Sequence, residues 1–198
     1  MLESILAEFS ATRLAELVAV ALAIAYLILA IRQNIWCWAA AFFSTGIYVF
    51  LYFEVALRME SALNVFYMAV AVYGFWQWRG GARNIALPVT RYRWSRHLIA
   101  IVVILMLSAL SGSLLQEFTI ASFPYLDSLT TWASVWATIL VARKELYNWF
   151  YWAAIDSVSI FLYLNKGLGL TACLFVFYLF LIPIGYRSWR AELKDVND

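Results

Sequence analysis

One acidic residue, Asp156, lies deep inside an apolar stretch that is long enough to cross a bilayer, in the segment NWFYWAAIDSVS at residues 148–159. An ionisable side chain at the centre of a membrane-spanning helix costs about 2.5–3.5 kcal/mol on insertion scales, so its default interpretation is a functional residue that faces a cavity. Other acids, such as Glu54, Glu117 and Glu145, are predicted to lie in or beside loops. Asp156 is therefore the first candidate for chemistry in this chain.

Aromatic and polar residues surround Asp156 at helical spacing. The segment opens with Asn148, and one stripe of the predicted helix carries Trp149, Trp152, Asp156, Ser159 and Tyr163. Tryptophan faces attract an organic cation, by about 2 kcal/mol when the cation is desolvated, and a carboxylate neutralises its charge. The stripe therefore favours a binding site for a small organic cation.

Further candidates lie outside this stripe. Trp132 and Trp136, one turn apart on the preceding segment, would complete an aromatic wall, and Thr45 and Tyr48 would face the site from the first half of the chain. A structural alternative stays open: Asp156 bonds a neighbouring helix, and the tryptophans fill the core or an interfacial belt.

Residue types exclude several chemistries. His97 is the only histidine and is predicted to lie in a basic loop, which argues against histidine-based metal sites and hydrolases. Cys37 and Cys173 fall in apolar segments without metal-ligand spacing, so both are interpreted as packing residues. There is no phosphate loop for ATP and no lysine inside an apolar segment for retinal. We therefore expect neither an enzyme nor a bound metal or cofactor.

Composition places these residues in a membrane. The 198-residue chain is 65% hydrophobic and 13% charged, with a mean hydropathy of +0.80. Continuous apolar runs favour helices, since helices satisfy their own backbone in the hydrocarbon region. Seven spans are predicted, and the fourth is short and ends in the breakable sequence SALSGS: 14–31, 35–53, 61–78, 98–110, 127–142, 149–164 and 168–186.

Basic residues predict the orientation. Most Lys and Arg residues fall on the side of the odd-numbered loops and the C-terminus, so the N-terminus is expected outside and the C-terminus in the cytoplasm. Because topology explains this charge, no nucleic-acid partner is expected. Lipid is the predicted surrounding of the apolar spans.

The sequence repeats itself at a shift of 111 positions. Residues 16–79 align without a gap onto 127–190, matching Trp38 with Trp149, Gly74 with Gly185, and the motifs FLY, VFY and WR with themselves. The predicted organisation is a first three-helix repeat (14–79), a connection with a cytoplasmic loop, linker helix and outer loop (80–126), and a second repeat (127–190). Such parallel repeats are typical of transporters whose substrate binds between the halves.

The motifs FPYLDS, ARKELYNWFYWAAIDSVSIFLY and YGFWQW resemble those of the PnuC-type vitamin transporters, over nearly the whole chain. The resemblance implies the 3+1+3 helix layout shared with SWEET sugar transporters. In that family the sixth helix carries Asn-Trp-x-x-Trp-x-x-x-Asn, whose second tryptophan and last asparagine contact substrate. These positions are Trp152 and Asp156 here, so an acid replaces the family's amide.

This substitution favours thiamine, the substrate of the related PnuT branch, because its aminopyrimidine offers donors that match a carboxylate. Nicotinamide riboside, also a cation, stays open as the alternative. The resemblance further implies facilitated diffusion by alternating access, trapping of the vitamin by a cytoplasmic kinase, a homotrimer and a bacterial inner membrane. A proton-coupled symporter also stays open, since a buried Asp156 can take up a proton.

Overall fold

The architecture was analysed in a computed structural model, which describes residues 2–54, 58–81, 87–118, 123–165 and 169–193. Seven α-helices form this part of the chain, which confirms the predicted all-helical fold with seven helices. Their bounds are α1 Leu2–Ile31, α2 Cys37–Glu54, α3 Arg58–Trp78, α4 Trp94–Phe118, α5 Pro124–Ala142, α6 Asn148–Asn165 and α7 Gly169–Ala191. Within the described ranges there is no strand, only an isolated parallel bridge between Thr90 and Glu145.

The chain divides into two compact units, residues 1–87 and 88–198. In the first unit α2 packs against both α1 and α3. In the second unit α4 packs on α5, α5 on α6, and α6 on α7. The predicted boundaries at 79–80 and 126–127 and the 3+1+3 layout stay predictions.

Four of the described helices are long and apolar enough by composition to cross a bilayer, over Leu14–Ile31, Cys37–Glu54, Trp94–Phe118 and Ala172–Ala191. The helices below this threshold include α5 and α6, which carry most of the predicted site. Hydroxyl groups lower the hydropathy of α5, yet they are satisfied inside the helix: Thr131 and Thr138 donate to the carbonyls four residues earlier, both over less than 3 Å.

The fourth helix is much longer than the sequence predicts. α4 runs for 25 residues and continues through SALSGS, where a break was expected. Ser111 and Ser113 donate to the carbonyls of Leu107 and Leu110 over 2.7 and 2.8 Å, so both hydroxyls stay within the helix. Gly112 is buried, and a Cβ there would lie 2.6 Å from the ring of Tyr125 on α5. The glycine thus serves a close approach of two helices instead of ending one.

Equivalent residues of the two predicted repeats share local geometry. Gln33 and Lys144, related by the 111-residue shift, are the described non-glycine residues with positive φ, at 53° and 49°. After each of them a new helix begins and places a buried tryptophan, Trp38 on α2 and Trp149 on α6. This correspondence supports the internal duplication.

The two tryptophans also pack alike. Trp38 meets Trp78 edge-on at a centroid distance of 5.5 Å and 88°, and Trp149 meets Trp189 at 5.5 Å and 86°. Each ring lies against a glycine of the following helix, Gly74 or Gly185, where an added Cβ would overlap the indole. A glycine is required at these two positions because the ring occupies the space of a side chain.

Candidate functional site

Asp156 lies in the middle of α6 and is only 3% exposed. In the described part of the chain, its carboxylate has no hydrogen bond and no ion pair with another side chain. A buried charge without a partner is costly, and such groups are found where a ligand or a proton completes the site. The described contacts give no sign of the interhelical bond that the structural alternative required.

The predicted stripe on α6 is buried on one face. Asn148, Trp149, Asp156 and Ser159 are buried, whereas Trp152 and Tyr163 are half-buried. Trp149 and Asp156 are seven residues apart, so they share this face two turns from each other. Trp149, Asp156 and Ser159 are thus the fully buried members of the predicted five-residue stripe. Their contact with substrate stays a prediction.

Two stripe residues have evident structural roles. Trp149 packs against Gly185 and Trp189 of α7. Asn148 begins α6, and its Nδ2 donates to the carbonyl oxygen of Glu145 over 2.6 Å, which fixes the turn before the helix. Both residues therefore position Asp156 by holding the start of α6.

The tryptophans of α5 differ in their surroundings. The indole N–H of Trp132 donates to the hydroxyl of Ser111 over 3.1 Å, so this side chain joins α5 to α4. Trp136, one turn later, lies close to the hydroxyl of Tyr151 on α6. Trp132 is thus turned toward α4 and Trp136 toward α6, the helix that carries Asp156.

Thr45 and Tyr48 lie in the first unit, on α2. Thr45 donates to the carbonyl of Ala41 over 2.8 Å, and the rings of Tyr48 and Tyr52 stack at 5.4 Å and 19°. All three side chains are half-buried. Their predicted position across a substrate from α6 stays a prediction.

The sequence pattern did not predict a buried polar cluster that lies at the start of α4 and α6. Glu145, expected beside a loop, is fully buried, and its Oε1 accepts the backbone N–H of Tyr92 over 3.2 Å. The same oxygen lies 3.6 Å from Nε2 of His97, whose Nδ1 is 3.2 Å from the hydroxyl of Tyr151. His97, Glu145 and Tyr151 thus link α4, the α5–α6 turn and α6.

Backbone hydrogen bonds join the segment before α4 to the turn that carries Glu145. Thr90 donates to the carbonyl of Lys144 and accepts from the N–H of Leu146, both over 2.9 Å. Burial raises the pKa of Glu145 to about 7, although the backbone N–H groups of Tyr92, Tyr147 and Asn148 act in the opposite direction. The sequence shows one histidine, His97, among aromatic residues. No pattern near it indicates that Glu145 lies beside it in the fold.

No group of three or more His, Cys, Asp or Glu side chains suited to a metal ion occurs in the ranges that the structure describes. Cys37 is buried and Cys173 exposed, and neither forms a disulfide. The other polar side chains on the buried face of α6 are an amide, an indole and a hydroxyl, on Asn148, Trp149 and Ser159, and such groups recognise an organic molecule by hydrogen bonds and ring contacts.

Comparisons with known proteins agree with this architecture. The riboflavin/roseoflavin transporter RibM of Streptomyces davaonensis is 26% identical over 167 residues, which cover 82% of this chain and 78% of RibM. The nicotinamide riboside transporter PnuC of Escherichia coli is 24% identical over 171 residues, covering 73% of this chain and 72% of PnuC.

A solved structure shares the fold. The crystal structure of the vitamin B3 transporter PnuC superposes with a TM-score of 0.72 at 20% identity, over 98% of this chain and 87% of that one. The sequence also matches the model of the nicotinamide mononucleotide transporter family over residues 13–191. This chain therefore belongs to the nicotinamide mononucleotide transporter family.

Proposed function

We propose that this protein carries a small cationic vitamin across a membrane, with Asp156 as the residue that pairs with the positive charge. The single observation behind the proposal is the buried Asp156 carboxylate, which has no partner among the described residues. Removing a carboxylate from water costs several kcal/mol, and a bound cation compensates much of that cost. The membership of this chain in a transporter family supports transport over mere binding.

Two cations satisfy this requirement. Thiamine is favoured by the chemistry of position 156, since a carboxylate accepts from the exocyclic amine and pairs with a protonated ring nitrogen. Nicotinamide riboside is favoured by the relatives, because PnuC of Escherichia coli is a nicotinamide riboside transporter. We place thiamine first, in a PnuT-like branch, on the strength of Asp156. Nicotinamide riboside is the second candidate.

The rest of the proposed site follows from the α6 stripe. Trp152, Ser159 and Tyr163 supply ring and hydroxyl contacts on either side of Asp156, and Trp136 extends the aromatic surface from α5. Trp149 and Asn148 hold the start of α6, and Thr45, Tyr48 and Trp132 are further proposed contacts of the substrate. In this proposal the carboxylate gives most of the cation selectivity, because it is the charged member of the set.

The transport cycle is proposed to be facilitated diffusion by alternating access between two parallel three-helix repeats joined by a linker helix. Net uptake then depends on a cytoplasmic kinase that phosphorylates the vitamin. We further propose a homotrimer in the bacterial inner membrane, with the N-terminus outside and the C-terminus in the cytoplasm. The basic residues at one set of loops support this orientation.

Calorimetric binding to the detergent-purified full chain tests the substrate class. Thiamine, nicotinamide riboside and riboflavin are titrated separately into wild type, Asp156→Asn and Asp127→Asn. We expect a cation to bind wild type and Asp156→Asn to weaken it more than about tenfold, equivalent to about 1.4 kcal/mol. Asp127→Asn removes a carboxylate at the start of α5 and is the matched control, with affinity unchanged.

The three ligands separate the outcomes. Binding of thiamine supports the first candidate, and binding of nicotinamide riboside alone replaces it by the second while retaining the cation site. Riboflavin carries no positive charge. If riboflavin alone binds, or if Asp156→Asn leaves cation affinity unchanged, the proposed role of Asp156 is wrong.

A further inference from the structure

The second unit has an apolar groove that is separate from the α6 stripe. α5 packs closely along both α4 and α6, whereas the backbones of α4 and α6 stay apart in the described helices, and His97 and Tyr151 meet near the start of each. The space between them forms a half-open groove of about 370 Å³, with Ile101 and Leu105 of α4 on one wall and Ala154 and Val158 of α6 on the other. Asp156 does not line it.

Several polar atoms of this groove are bonded within the protein. The ring nitrogen Nδ1 of His97 and the Tyr151 hydroxyl face each other at 3.2 Å, and Thr130 donates to the carbonyls of Leu126 and Asp127. The remaining lining is aliphatic and aromatic. A hydrocarbon chain therefore fits the chemistry of this lining better than a vitamin with amide, amine or hydroxyl groups does.

The length of the groove corresponds to one leaflet. It runs along α4 from Trp94 to Leu105, about 16 Å at 1.5 Å per residue. Half of a hydrocarbon core of about 30 Å is about 15 Å. Trp94 is 75% exposed and stacks on Tyr147 at 5.3 Å, at the end where α4 begins. Tryptophan and tyrosine concentrate at the level of the lipid headgroups, so this end is the interfacial mouth of the groove.

Positive charge is concentrated at the mouth. Arg91, Arg93 and Arg96 are exposed, and no carboxylate pairs with any of them in the described part of the chain. Arg96 lies over the ring of Tyr92 at 4.9 Å, which holds its guanidinium beside the mouth. The first turn of α4 contains no acid, so the positive end of the helix dipole adds to the same field.

We propose that this groove binds one anionic phospholipid, with an acyl chain between α4 and α6 and the phosphate among Arg91, Arg93 and Arg96. Charge complementarity at the mouth, together with a leaflet-length apolar groove, identifies the occupant as lipid. Basic residues next to membrane helices select anionic headgroups, because Lys and Arg are attracted to the negative charge of an anionic surface. The lipid would hold α4 to the rest of the second unit along the side that α5 leaves open.

Native mass spectrometry of the full chain in detergent tests this site without reference to the transported vitamin. Dioleoylphosphatidylglycerol and dioleoylphosphatidylcholine, which share their acyl chains, are offered at equal concentration. We expect wild type to retain one phosphatidylglycerol per chain at least fivefold over phosphatidylcholine. Glycerol 3-phosphate carries the headgroup charge without the chains, and we expect it not to displace the bound lipid at equal concentration.

Two variants separate the two parts of the site. In Arg93→Gln/Arg96→Gln the preference for phosphatidylglycerol should disappear, whereas Ala154→Phe, which fills the groove, should reduce retention of both lipids. Arg190→Gln is the matched control, because Arg190 lies over the ring of Tyr186 at 6.0 Å just as Arg96 lies over Tyr92. The control should bind lipid as wild type does. Each variant's unfolding midpoint is measured alongside, to show that it is folded.

Three results would overturn the proposal. Equal retention of both lipids by wild type would show that the arginines do not select a headgroup. Displacement by glycerol 3-phosphate at equal concentration would identify a simple phosphate site. A change of oligomeric state in Ala154→Phe with unchanged lipid retention would assign the groove to contact with a second copy of the chain.

Discussion

Asp156 and Glu145 are two buried carboxylates of the second unit with different surroundings. Glu145 Oε1 accepts the N–H of Tyr92 and lies 3.6 Å from Nε2 of His97, so this carboxylate has protein partners on one of its two oxygens. Asp156 has no such partner among the described residues. This contrast at the residue scale supports a structural role for Glu145 and is the basis of the proposal that Asp156 pairs with the ligand.

Glu145 should make the stability of the protein depend on pH. Its pKa is raised from 4.5 to about 7 by burial, so between these values the folded state binds more protons than the unfolded state. Stability therefore falls as pH rises through this window and levels off above it. We expect a lower unfolding midpoint at pH 8 than at pH 5 in wild type, and a smaller difference in Glu145→Gln.

The comparison needs a matched acid. Glu117, exposed near the far end of α4, is replaced in the control Glu117→Gln, which should keep the wild-type pH dependence. His97 faces Glu145 from α4, Tyr151 contacts His97 from α6, and Arg143 and Lys144 precede Glu145 in the turn. An equal pH dependence in wild type and Glu145→Gln would assign the effect to one of these groups.

At the scale of elements, each unit has a buried tryptophan and a glycine that hold consecutive helices together. Trp38 lies against Gly74, and Trp149 lies against Gly185. The 111-residue shift predicted both pairs as equivalent, and the similar packing geometry supports a common origin. The close approach of α6 to α7 fixes the face of α6 that carries Asp156.

Alanine at these glycines tests the pairing. Gly74→Ala and Gly185→Ala should each lower stability by about 1–3 kcal/mol, because the methyl group overlaps an indole that fills the space. Gly46→Ala is the control, since its Cβ would lie 3.6 Å from Met68, an ordinary contact. There we expect no loss, or a gain of up to about 1 kcal/mol from helix propensity. Unfolding midpoints in detergent give the comparison, and a tolerated Gly185→Ala would contradict the packing argument.

Local patterns predicted the seven helices, because helix periodicity and apolar length are properties of one segment. They did not predict the burial of Glu145, because its bonding partner Tyr92 is 53 residues away in the sequence. They also placed a break in α4, where serine hydroxyls and Gly112 instead permit a continuous helix. The role of Trp132 likewise depends on Ser111 of another helix. Local sequence patterns therefore could not predict contacts between different segments.

At the scale of the whole molecule, family membership and Asp156 together define the proposed activity. The relatives are transporters of riboflavin or nicotinamide riboside, so substrate differs among proteins of similar sequence. In our proposal, one acidic side chain at position 156 changes the preference for substrate. The attraction between a carboxylate and a cation is strong where the dielectric constant is low, so one residue has a large effect. Facilitated diffusion, as proposed, requires no chain of further ionisable residues that would carry protons.

The energy source distinguishes facilitated diffusion from proton-coupled symport. In sealed vesicles containing the purified protein, labelled thiamine should reach the same concentration inside and outside, with or without an imposed pH gradient. Protein-free vesicles give the background. A pH gradient that drives concentration above the outside level would show that protons are coupled to transport, with Asp156 the first residue to examine.

The most direct test of the central claim is counterflow in vesicles preloaded with unlabelled vitamin, comparing wild type with Asp156→Asn. We predict that labelled thiamine enters wild-type vesicles preloaded with thiamine, that nicotinamide riboside competes if it shares the cation site, and that Asp156→Asn abolishes the exchange. If wild type exchanges riboflavin and neither cation, or if Asp156→Asn exchanges thiamine as wild type does, Asp156 is not the cation-pairing residue of this transporter.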